Sequence, residues 1–461
     1  MKVLHIGDND LISRRFNGYD YHDIFLEFGI ESSMIVEKKL SNSDFVNSVD
    51  IKIDNYSLSI IKHISFIQAD IIHLHLIHNT TFDINYLSII SQLKPTVITL
   101  HDAFFLGGHC IHHFDCEKWK IHCMDCEYLD VPFNINYDDS SLRFYVLKSA
   151  IINSNISSIV ASDWMYDKVK LSPIWSDKDI FFLPFYVDQN IFRPNDQLEI
   201  KKKLNIAGDS IVIFFRTQSD LYKGIDIIHY AINNIRTDKE ITLISVGETG
   251  FKEKFKKKYK ILEFGWVSDI NLLANLYQVC DLFLMPSKQE AFGLMAIEAM
   301  SCGKMVLATK GTALESVVGS PDYGIAVEHD AAIFTKELQR LLDNFDEVKY
   351  RGKISLEYVN KKNKKDDFFI NLIRIYNDVI TQHKEKMSES NVITQELVIS
   401  QLNKYHKKYQ DYISIIDEPL ISHDLSKNKL KYYLKKAFII FFKIIFPSKS
   451  IRRKIIKLLE T

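Results

Sequence analysis

The stretch "SKQEAFGLMAIEAMSCG" (287–303) joins a strand pattern to a helix pattern and carries two glutamates eight positions apart. The preceding "DLFLMPS" (281–287) is a short apolar run typical of a buried strand, and an apolar helix pattern begins at about Phe292. Glu290 is therefore predicted in the loop at the carboxyl end of the strand. Glu298 is predicted about one and a half turns inside the helix.

These two carboxylates have different possible explanations. Glu290 alone is compatible with capping of the helix N-terminus, which favours negative charge. Glu298 is flanked by the apolar residues Met295, Ala296, Ile297, Ala299 and Met300. A carboxylate among such neighbours is costly to bury without partners, and ligand hydroxyl groups are suitable partners. Gly293 is predicted in the first helical turn, where exposed N–H groups favour an anion.

Strand patterns like the one before Glu290 recur through the first 330 residues, with helix patterns between most of them. They lie at 3–7, 32–37, 70–76, 96–101, 157–162 and 180–185, and then at 210–217, 241–247, 262–267, 281–287 and 305–309. Strands that are continuously apolar and are followed by helices indicate parallel sheets covered on both faces. The two series predict an α/β fold with two Rossmann-like, doubly wound domains facing across a cleft, plus a helical C-terminal extension.

The change in pattern along the chain predicts four regions. They are a first Rossmann-like domain at 1–190 with a cysteine-rich insertion at 103–130, a second domain at 191–350, helices packing back on the domains at 351–385, and a helical basic tail at 386–461. The first boundary is placed at a turn-like segment, 188–197, and the last one follows a polar, linker-like segment.

Charge and composition limit the classes of partner. With 46% hydrophobic and 25% charged residues and a formal net charge of -1, the chain is globular and has no overall basic field for nucleic acid. Residues 427–461 contain eleven Lys and Arg against one acidic residue, Glu460, around an apolar segment at 437–446. This tail is predicted to dock on an anionic membrane surface, with packing on the protein or on a second subunit as the alternative.

Localisation is predicted from what the sequence patterns lack. The N-terminal residues have no secretory pattern, and no apolar run approaches the roughly 18 residues of a membrane span. We therefore expect a cytoplasmic protein that is peripheral on the inner face of the plasma membrane.

The segment "PSKQEAFGLMAIEAMSCGKMVLATKGTALESV" (286–317) resembles the donor-site motif of glycosyltransferase family 4, whose members are retaining enzymes of the GT-B fold. The matching residues are Glu290, Phe292, Gly293, Glu298, Ala299, Met300, Cys302, Gly303, Gly311, Thr312 and Glu315. The resemblance implies a nucleotide-sugar donor, UDP- or GDP-linked, and no catalytic metal.

By this resemblance, Glu290 would bind hydroxyls of the donor sugar, Glu298 would bind the ribose, and the backbone at 292–294 would hold the diphosphate. Arg216 and Lys223, in "IFFRTQSDLYKG" (213–224), would stabilise the departing diphosphate; solvated surface cations are the alternative. The implied catalytic residues are His101, Arg216, Lys223 and Glu290, and the implied donor-binding residues are Asp102, Gly18, Phe292, Gly293, Leu294, Glu298 and Thr312.

The stretch "TLHDAFFLGGHCIHHFDCEKWKIHCMDCEYLD" (99–130) concentrates the histidines and cysteines. His101 and Asp102 end a predicted strand, and the resemblance makes His101 an active-site residue; a structural histidine is the alternative. Cys110, Cys116, Cys123 and Cys126 have spacings that suit a structural Zn²⁺ site, with His109, His112, His113 and His122 as substitute ligands. Two disulfides or four free thiols are the other possibilities.

The predicted function is a retaining hexosyltransferase that moves a sugar from a nucleotide-sugar donor to a glycan or lipid-linked acceptor. The pathway expected is synthesis of a bacterial surface polysaccharide, such as capsule, O-antigen or exopolysaccharide. The alternatives are a sugar-nucleotide epimerase and a non-catalytic GT-B partner or binding protein.

Overall fold

The computed structural model describes residues 1–11, 15–49, 55–255 and 259–388, and residues 1–391 form one compact unit. Its first sheet has seven strands in the order β3-β2-β1-β4-β5-β6-β7. They are β1 Lys2–Asn9, β2 Glu31–Lys38, β3 Val46–Ser48, β4 Ile71–His75, β5 Thr96–Thr99, β6 Ile156–Val160 and β7 Ile180–Phe182. Every neighbouring pair in this sheet is parallel.

The second sheet has six strands, also all parallel, in the order β10-β9-β8-β11-β12-β13. They are β8 Ile211–Thr217, β9 Ile241–Gly247, β10 Lys260–Glu263, β11 Leu282–Met285, β12 Met305–Thr309 and β13 Ile325–Val327. In both sheets the strand order reverses direction beside the first strand of the domain. In doubly wound sheets, ligands bind at such a point, beyond the carboxyl ends of the strands.

Helices connect the strands and cover both sheets. In the first domain they are α1 His22–Glu27, α2 Tyr56–Lys62, α3 Ile64–Gln68, α4 Tyr86–Leu93, α5 Ser140–Ile152 and α6 Asp163–Leu171. In the rest of the described chain they are α7 Gln197–Lys203, α8 Ile225–Asn234, α9 Ile270–Val279, α10 Leu294–Ser301, α11 Leu314–Val317, α12 Ala331–Asp343, α13 Phe345–Lys362 and α14 Lys365–Ser388.

Burial explains why these parallel strands are apolar at consecutive positions. Every residue of β4, β5, β11 and β12 is buried, so both faces of these strands are covered. Strands with two buried faces need apolar residues at consecutive positions, and helical crossovers supply the cover. The predicted fold of two doubly wound sheets is confirmed.

Some strand limits differ from the predictions. The strand predicted at 262–267 lies at 260–263, and Gly265 follows it with a positive φ of 64°. The strands β3 and β13, three residues each, were not predicted. β5 ends at Thr99, two residues earlier than predicted, so that His101 and Asp102 lie beyond the strand in a connecting loop.

The last described helix returns to the first domain. On α14, the ring of Phe369 lies 5.5 Å from Phe25 and 5.4 Å from Tyr21, centroid to centroid. Just before this helix, Asn363 donates to the carbonyl of Phe185 at 2.7 Å, a bond made by its side-chain amide. The helix therefore shares its core with the first sheet, although it follows the second domain in sequence.

The predicted basic tail at 386–461 falls almost wholly outside the described residues, so its docking stays a prediction. Within the residues that are described, no helix combines the length and apolarity that crossing a membrane requires.

Candidate active site

The loop between β11 and α10 forms one wall of the cleft. Gly293 is the N-cap of α10 and has a left-handed backbone with φ of 105°, so the helix begins at Leu294, slightly later than predicted. A Cβ atom on Gly293 would lie 2.5 Å from the Leu314 side chain, and both observations favour glycine. Glu290 precedes this turn, and Glu298 lies inside the helix with its side chain fully buried.

A cavity of about 420 Å³ opens between the two sheets. Its lining includes most of the residues that the sequence analysis singled out: His101, Asp102, Arg216, Lys223, Glu290, Phe292, Gly293, Leu294 and Glu298. These residues come from both domains and are separated by up to about two hundred positions in the chain. The structure thus brings the predicted donor-side and acceptor-side groups to one space.

Two predicted residues lie elsewhere in the described structure. Gly18 and Thr312 do not line this cavity. Thr312 is buried, and its hydroxyl accepts a hydrogen bond from the backbone N–H of Leu314, two residues on. A local turn accounts for this contact.

Lys223 and Glu290 form the clearest charged pair of the cavity. Lys223 Nζ donates to Glu290 Oε2 at 2.9 Å, and both side chains are largely buried. No side chain caps the N-terminus of α10, so the geometry favours a cavity role for Glu290 over the capping alternative. Arg216, at the end of β8, lines the same cavity. The wall therefore combines two cations with a helix N-terminus, an arrangement suited to phosphate groups.

Arg15, which the sequence analysis missed, forms an ion pair with Glu298. Glu298 is fully buried, so this cation is the partner that its carboxylate requires. The Arg15 guanidinium also lies 5.3 Å from the centre of the Phe192 ring. Burial lowers the pKa of Arg15 from its usual value. No local pattern marks Arg15, because its partner belongs to the other domain.

The first domain contributes His101 and Asp102 immediately after β5. Asp102 Oδ2 lies 3.1 Å from Nε2 of His78, another residue that the sequence analysis did not single out. Burial raises the pKa of the Asp102 carboxyl, but the facing His78 imidazole, the backbone N–H of Phe104 and His101 together more than offset this, and the pKa lies below its usual value. On the other side, Nε2 of His101 lies 3.4 Å from Nδ1 of His75.

The cysteine-rich insertion reaches across to the second domain. The rings of His112 and Tyr222 are 4.3 Å apart, centroid to centroid, and Lys288 Nζ lies 5.4 Å from the centre of the Phe114 ring. His112 also lines the cavity, and burial, followed by the charge of Lys223, lowers its pKa to about 4. The insertion therefore closes one side of the cleft with a neutral imidazole.

The four cysteines of the insertion are free thiols, which excludes the disulfide alternative for this structure. Burial raises the pKa of Cys110 and of Cys123 to about 12, and Cys126 Sγ lies 3.4 Å from Nε2 of His109. In the described part of the chain, the group of three ligand atoms within 4.8 Å of one another is formed by His5, His73 and His75, and the cysteines form no such group. The zinc site at the cysteines stays a prediction.

Two tryptophans complete the cavity, and neither was singled out from the sequence. Trp164 donates through Nε1 to the carbonyl of Gly311 at 3.1 Å, and this bond joins the first domain to the second. Nearby, the Ser162 hydroxyl donates to the carbonyl of Ala291 at 2.6 Å. Trp266 lines the cavity while most of its side chain is exposed. An exposed aromatic ring at a cavity is a surface on which a planar ligand can stack.

Comparison with known proteins gives this geometry a context. The family described as "Glycosyl transferases group 1" matches residues 196–355. The lipopolysaccharide 1,2-N-acetylglucosaminetransferase of Salmonella typhimurium is 29% identical over 170 residues, which are 33% of this chain and 44% of that protein. The chain spans less than half the length of the first curated relatives it matches, at 42% to 48%.

Solved structures resemble a larger part of the chain. Sucrose-phosphate synthase from Thermosynechococcus elongatus has a TM-score of 0.62 at 17% identity, over 83% of this chain and 100% of that one. HepE from Anabaena, solved in complex with UDP-glucose, has a TM-score of 0.55 at 14% identity, over 85% of this chain and 100% of that one. Residues 196–355 therefore form a glycosyl transferases group 1 domain, in a chain that has the GT-B fold.

Proposed function

We propose that the chain is a retaining hexosyltransferase that transfers a sugar from a UDP- or GDP-linked donor to a glycan or lipid-linked acceptor. The observation that carries this proposal is the meeting of Lys223, Glu290, Glu298 and the N-terminus of α10 in one cavity between two parallel sheets. Such a cavity offers separate partners for phosphate, sugar and ribose within the reach of one extended ligand.

The donor is assigned to the second domain. The diphosphate lies at the backbone of Phe292, Gly293 and Leu294, where the N-terminus of α10 favours an anion. Arg216 and Lys223 then stabilise the negative charge that develops on the diphosphate as the bond to the sugar breaks. The UDP-glucose bound to HepE, a protein of similar fold, supports a donor of this chemical class.

The carboxylates of Glu290 and Glu298 bind opposite ends of this ligand. Glu290 binds hydroxyls of the transferred sugar, and its bond to Lys223 orients the carboxylate in the cavity. Glu298 binds the ribose hydroxyls, which replace Arg15 as partners of the buried carboxylate. Ribose hydroxyls can donate hydrogen bonds to both buried oxygens of Glu298.

The acceptor enters from the first domain, where His101 and Asp102 face the donor wall. The insertion carrying His112 covers one side, so that bound substrates are shielded from water that would otherwise hydrolyse the donor. The name of the Salmonella relative, a lipopolysaccharide glycosyltransferase, favours a bacterial surface polysaccharide as the product. The retaining outcome rests on the resemblance to glycosyltransferase family 4.

Calorimetry with UDP and GDP tests donor binding through Glu298→Gln, which keeps the shape of the side chain and removes its charge. We expect the variant to lose affinity for the nucleotide by about 100-fold, since two charge-assisted hydrogen bonds are weakened. Glu240→Gln is the matched control, because Glu240 is exposed on the same domain. Equal affinity in wild type and Glu298→Gln would exclude the ribose role.

The alternatives predict different products. An epimerase would convert the nucleotide sugar without an acceptor, and a binding protein would leave it unchanged. Mass spectrometry of donor and acceptor mixtures separates these outcomes, and proton NMR of a transferred sugar shows whether the anomeric configuration is retained.

A further inference from the structure

Four histidines lie together behind the cleft, on one face of the first sheet. His5 is on β1, His73 and His75 are on β4, and His101 follows β5. His5 lies directly opposite His73 in the parallel register, and His73 and His75 are two positions apart, so their side chains share a face. The first three are buried, whereas His101 lines the cavity.

Three of these imidazoles are joined in a row, which we call the histidine line: His5, His75 and His101. His5 Nδ1 lies 3.1 Å from His75 Nε2, and His75 Nδ1 lies 3.4 Å from His101 Nε2. His73 belongs to a different network, because its Nδ1 contacts the hydroxyl of Tyr376 at 2.7 Å and its Nε2 contacts that of Thr99 at 2.8 Å.

The buried members of the line are neutral at physiological pH. Burial, followed by the charge of His22, lowers the pKa of His5 to about 3. Burial, followed by the neighbouring histidines, lowers the pKa of His75 well below its usual value, and a hydrogen bond with the backbone of Phe16 opposes this only in part. A neutral imidazole has one N–H donor and one nitrogen lone pair, so His5 and His75 each have a donor at one ring nitrogen and an acceptor at the other. All the protons in the line therefore point in the same direction.

The far end of the line fixes that direction. His5 Nε2 is buried and has no hydrogen-bond partner in the described structure. An orphaned buried N–H is rarer in proteins than an orphaned acceptor, so Nε2 is the nitrogen without the proton. His5 then donates from Nδ1 to His75, and His75 donates from its own Nδ1 to Nε2 of His101.

Gly18 holds the start of the line in place. This glycine has a φ of 99°, and a Cβ atom at this position would lie 2.5 Å from Cγ of His5. The imidazole of His5 is enclosed further by Tyr21, at 5.5 Å between ring centroids, and by Phe25, at 5.9 Å. The ring of His5 thus has little freedom to turn and exchange its two nitrogens.

We propose that His75 is a positioning residue that keeps the proton of His101 on Nδ1. The inference rests on the proposed function in that His101 is a residue of the transferase site. Because the lone pair of Nε2 is engaged by His75, His101 serves a ligand in the cleft as a hydrogen-bond donor and does not serve as a general base through that nitrogen.

A metal ion is the other occupant that the cluster chemistry allows, since His5, His73 and His75 offer ligand atoms within 4.8 Å of one another. Two contacts favour the hydrogen-bonded line instead. The 3.1 Å separation between His5 and His75 is that of an ordinary N–H···N bond, and both nitrogens of His73 already contact hydroxyl groups.

Side-chain ¹⁵N NMR of the full chain, labelled at histidine, tests the proposal without requiring activity. His101 is assigned from the signals lost in His101→Gln. In the wild type, we expect a protonated Nδ1 and an unprotonated Nε2 at His101. In His75→Leu, we expect these signals to move toward those of mixed tautomers, while His75→Asn, whose amide N–H replaces Nδ1–H, restores the wild-type pattern.

His73→Leu is the matched control, because it removes an equally buried imidazole of the same strand whose ring nitrogens contact the hydroxyls of Tyr376 and Thr99. It is expected to leave the His101 signals unchanged. A proton on Nε2 of His101 in the wild type would overturn the proposal even if the leucine variants fail to fold. An unchanged His101 pattern in folded His75→Leu would also overturn it.

Transfer assays and elemental analysis complete the test. His75→Leu should lower kcat/KM by about tenfold, the effect of losing one oriented hydrogen bond, and His75→Asn should recover most of it. If the wild type contains one equivalent of metal, and this metal is lost in His5→Gln but kept in Cys123→Ser, the cluster is a metal site and the proposed histidine line is wrong. Absence of any transfer activity would remove the proposed function and leave the NMR result to decide the tautomer.

Discussion

The second domain takes a group of five cavity residues from one short stretch of chain, whereas the residues that the first domain contributes come from distant segments. Glu290, Phe292, Gly293, Leu294 and Glu298 all belong to a single strand–helix connection. On the opposite wall, Arg15, His101, His112, Trp164 and Phe185 come from separate parts of the first domain. A local pattern can therefore predict the first group, while the second depends on tertiary contacts.

The ion pair between Arg15 of the first domain and Glu298 of the second provides the strongest test of this comparison. Arg15→Ala would leave the carboxylate of Glu298 buried without a cation, and removing one partner of such a pair costs about 3 to 5 kcal/mol. We expect the free energy of unfolding, measured with urea, to fall by an amount of this order. Nucleotide should then stabilise Arg15→Ala more than it stabilises the wild type, since Glu298 gains a partner.

Arg15→Lys keeps the positive charge and should retain part of the lost stability. If Arg15→Ala unfolds at the same urea concentration as the wild type, the pair contributes nothing. Arg15 of the first domain would then contribute to the shape of the cleft near the nucleotide but not to stability.

Lys223→Met tests the side of the cleft that the second domain forms. The substitution removes the cation that contacts Glu290 while keeping a side chain of similar length. Losing one preorganised donor to a developing negative charge lowers kcat by about 100- to 1000-fold, which corresponds to roughly 3 to 4 kcal/mol. Steady-state transfer assays measure this loss.

Lys288→Met is the matched control for Lys223→Met, because Lys288 belongs to the same domain but contacts the insertion at Phe114. A similar fall in kcat for both variants would mean that general charge near the cleft, and not the position of Lys223, governs the rate.

The sequence predicted the features whose determining residues lie close together in the chain. Continuous apolar runs such as β11 and β12 predicted parallel strands, and Glu290 and Glu298, whose spacing suggested a shared ligand, line one cavity. The three-residue strands β3 and β13 are too short for a periodic signal. They form strands because the neighbouring strands β2 and β12 supply partners for their backbone hydrogen bonds.

The site residues that were missed share a physical reason. The partner of His5 in the histidine line is 70 positions away, and Asp102 meets His78 only after β4 and β5 pair. The close approach of Gly18 to His5 gives this glycine a role in packing, and its donor contact stays a prediction. Residues whose importance arises from pairing across strands have no local pattern to reveal them.

The buried histidine cluster should make the first domain sensitive to mild acid. The unfolded chain binds a proton at His5 near pH 6.5, whereas folded His5 binds one only near pH 3, so stability is lost as pH falls below about 6.5. At pH 5 the loss from this residue is about 2 kcal/mol. In His5→Gln, unfolding in urea at pH 7 and pH 5 should show a correspondingly smaller difference.

His122→Gln serves as the control for the acid test, since it removes a half-buried imidazole from the insertion and leaves the cluster intact. An equal pH dependence in His5→Gln and the wild type would mean that His5 accepts its proton in the folded state. The histidine line would then carry a charge.

The smallest effect is expected where the insertion touches the second domain. His112→Ala removes a ring contact with Tyr222, and aromatic pairs of this kind contribute about 1 kcal/mol, so kcat/KM should fall about fivefold. His122→Ala removes a comparable contact with Tyr145, at 4.4 Å between ring centroids, on the side of the insertion that faces α5. Only the first contact bridges the cleft, so His122→Ala should transfer sugar at close to the wild-type rate. Equal losses in both variants would show that the insertion acts through its own folding, and the first domain would then reach the donor only through Arg15 and the loop after β5.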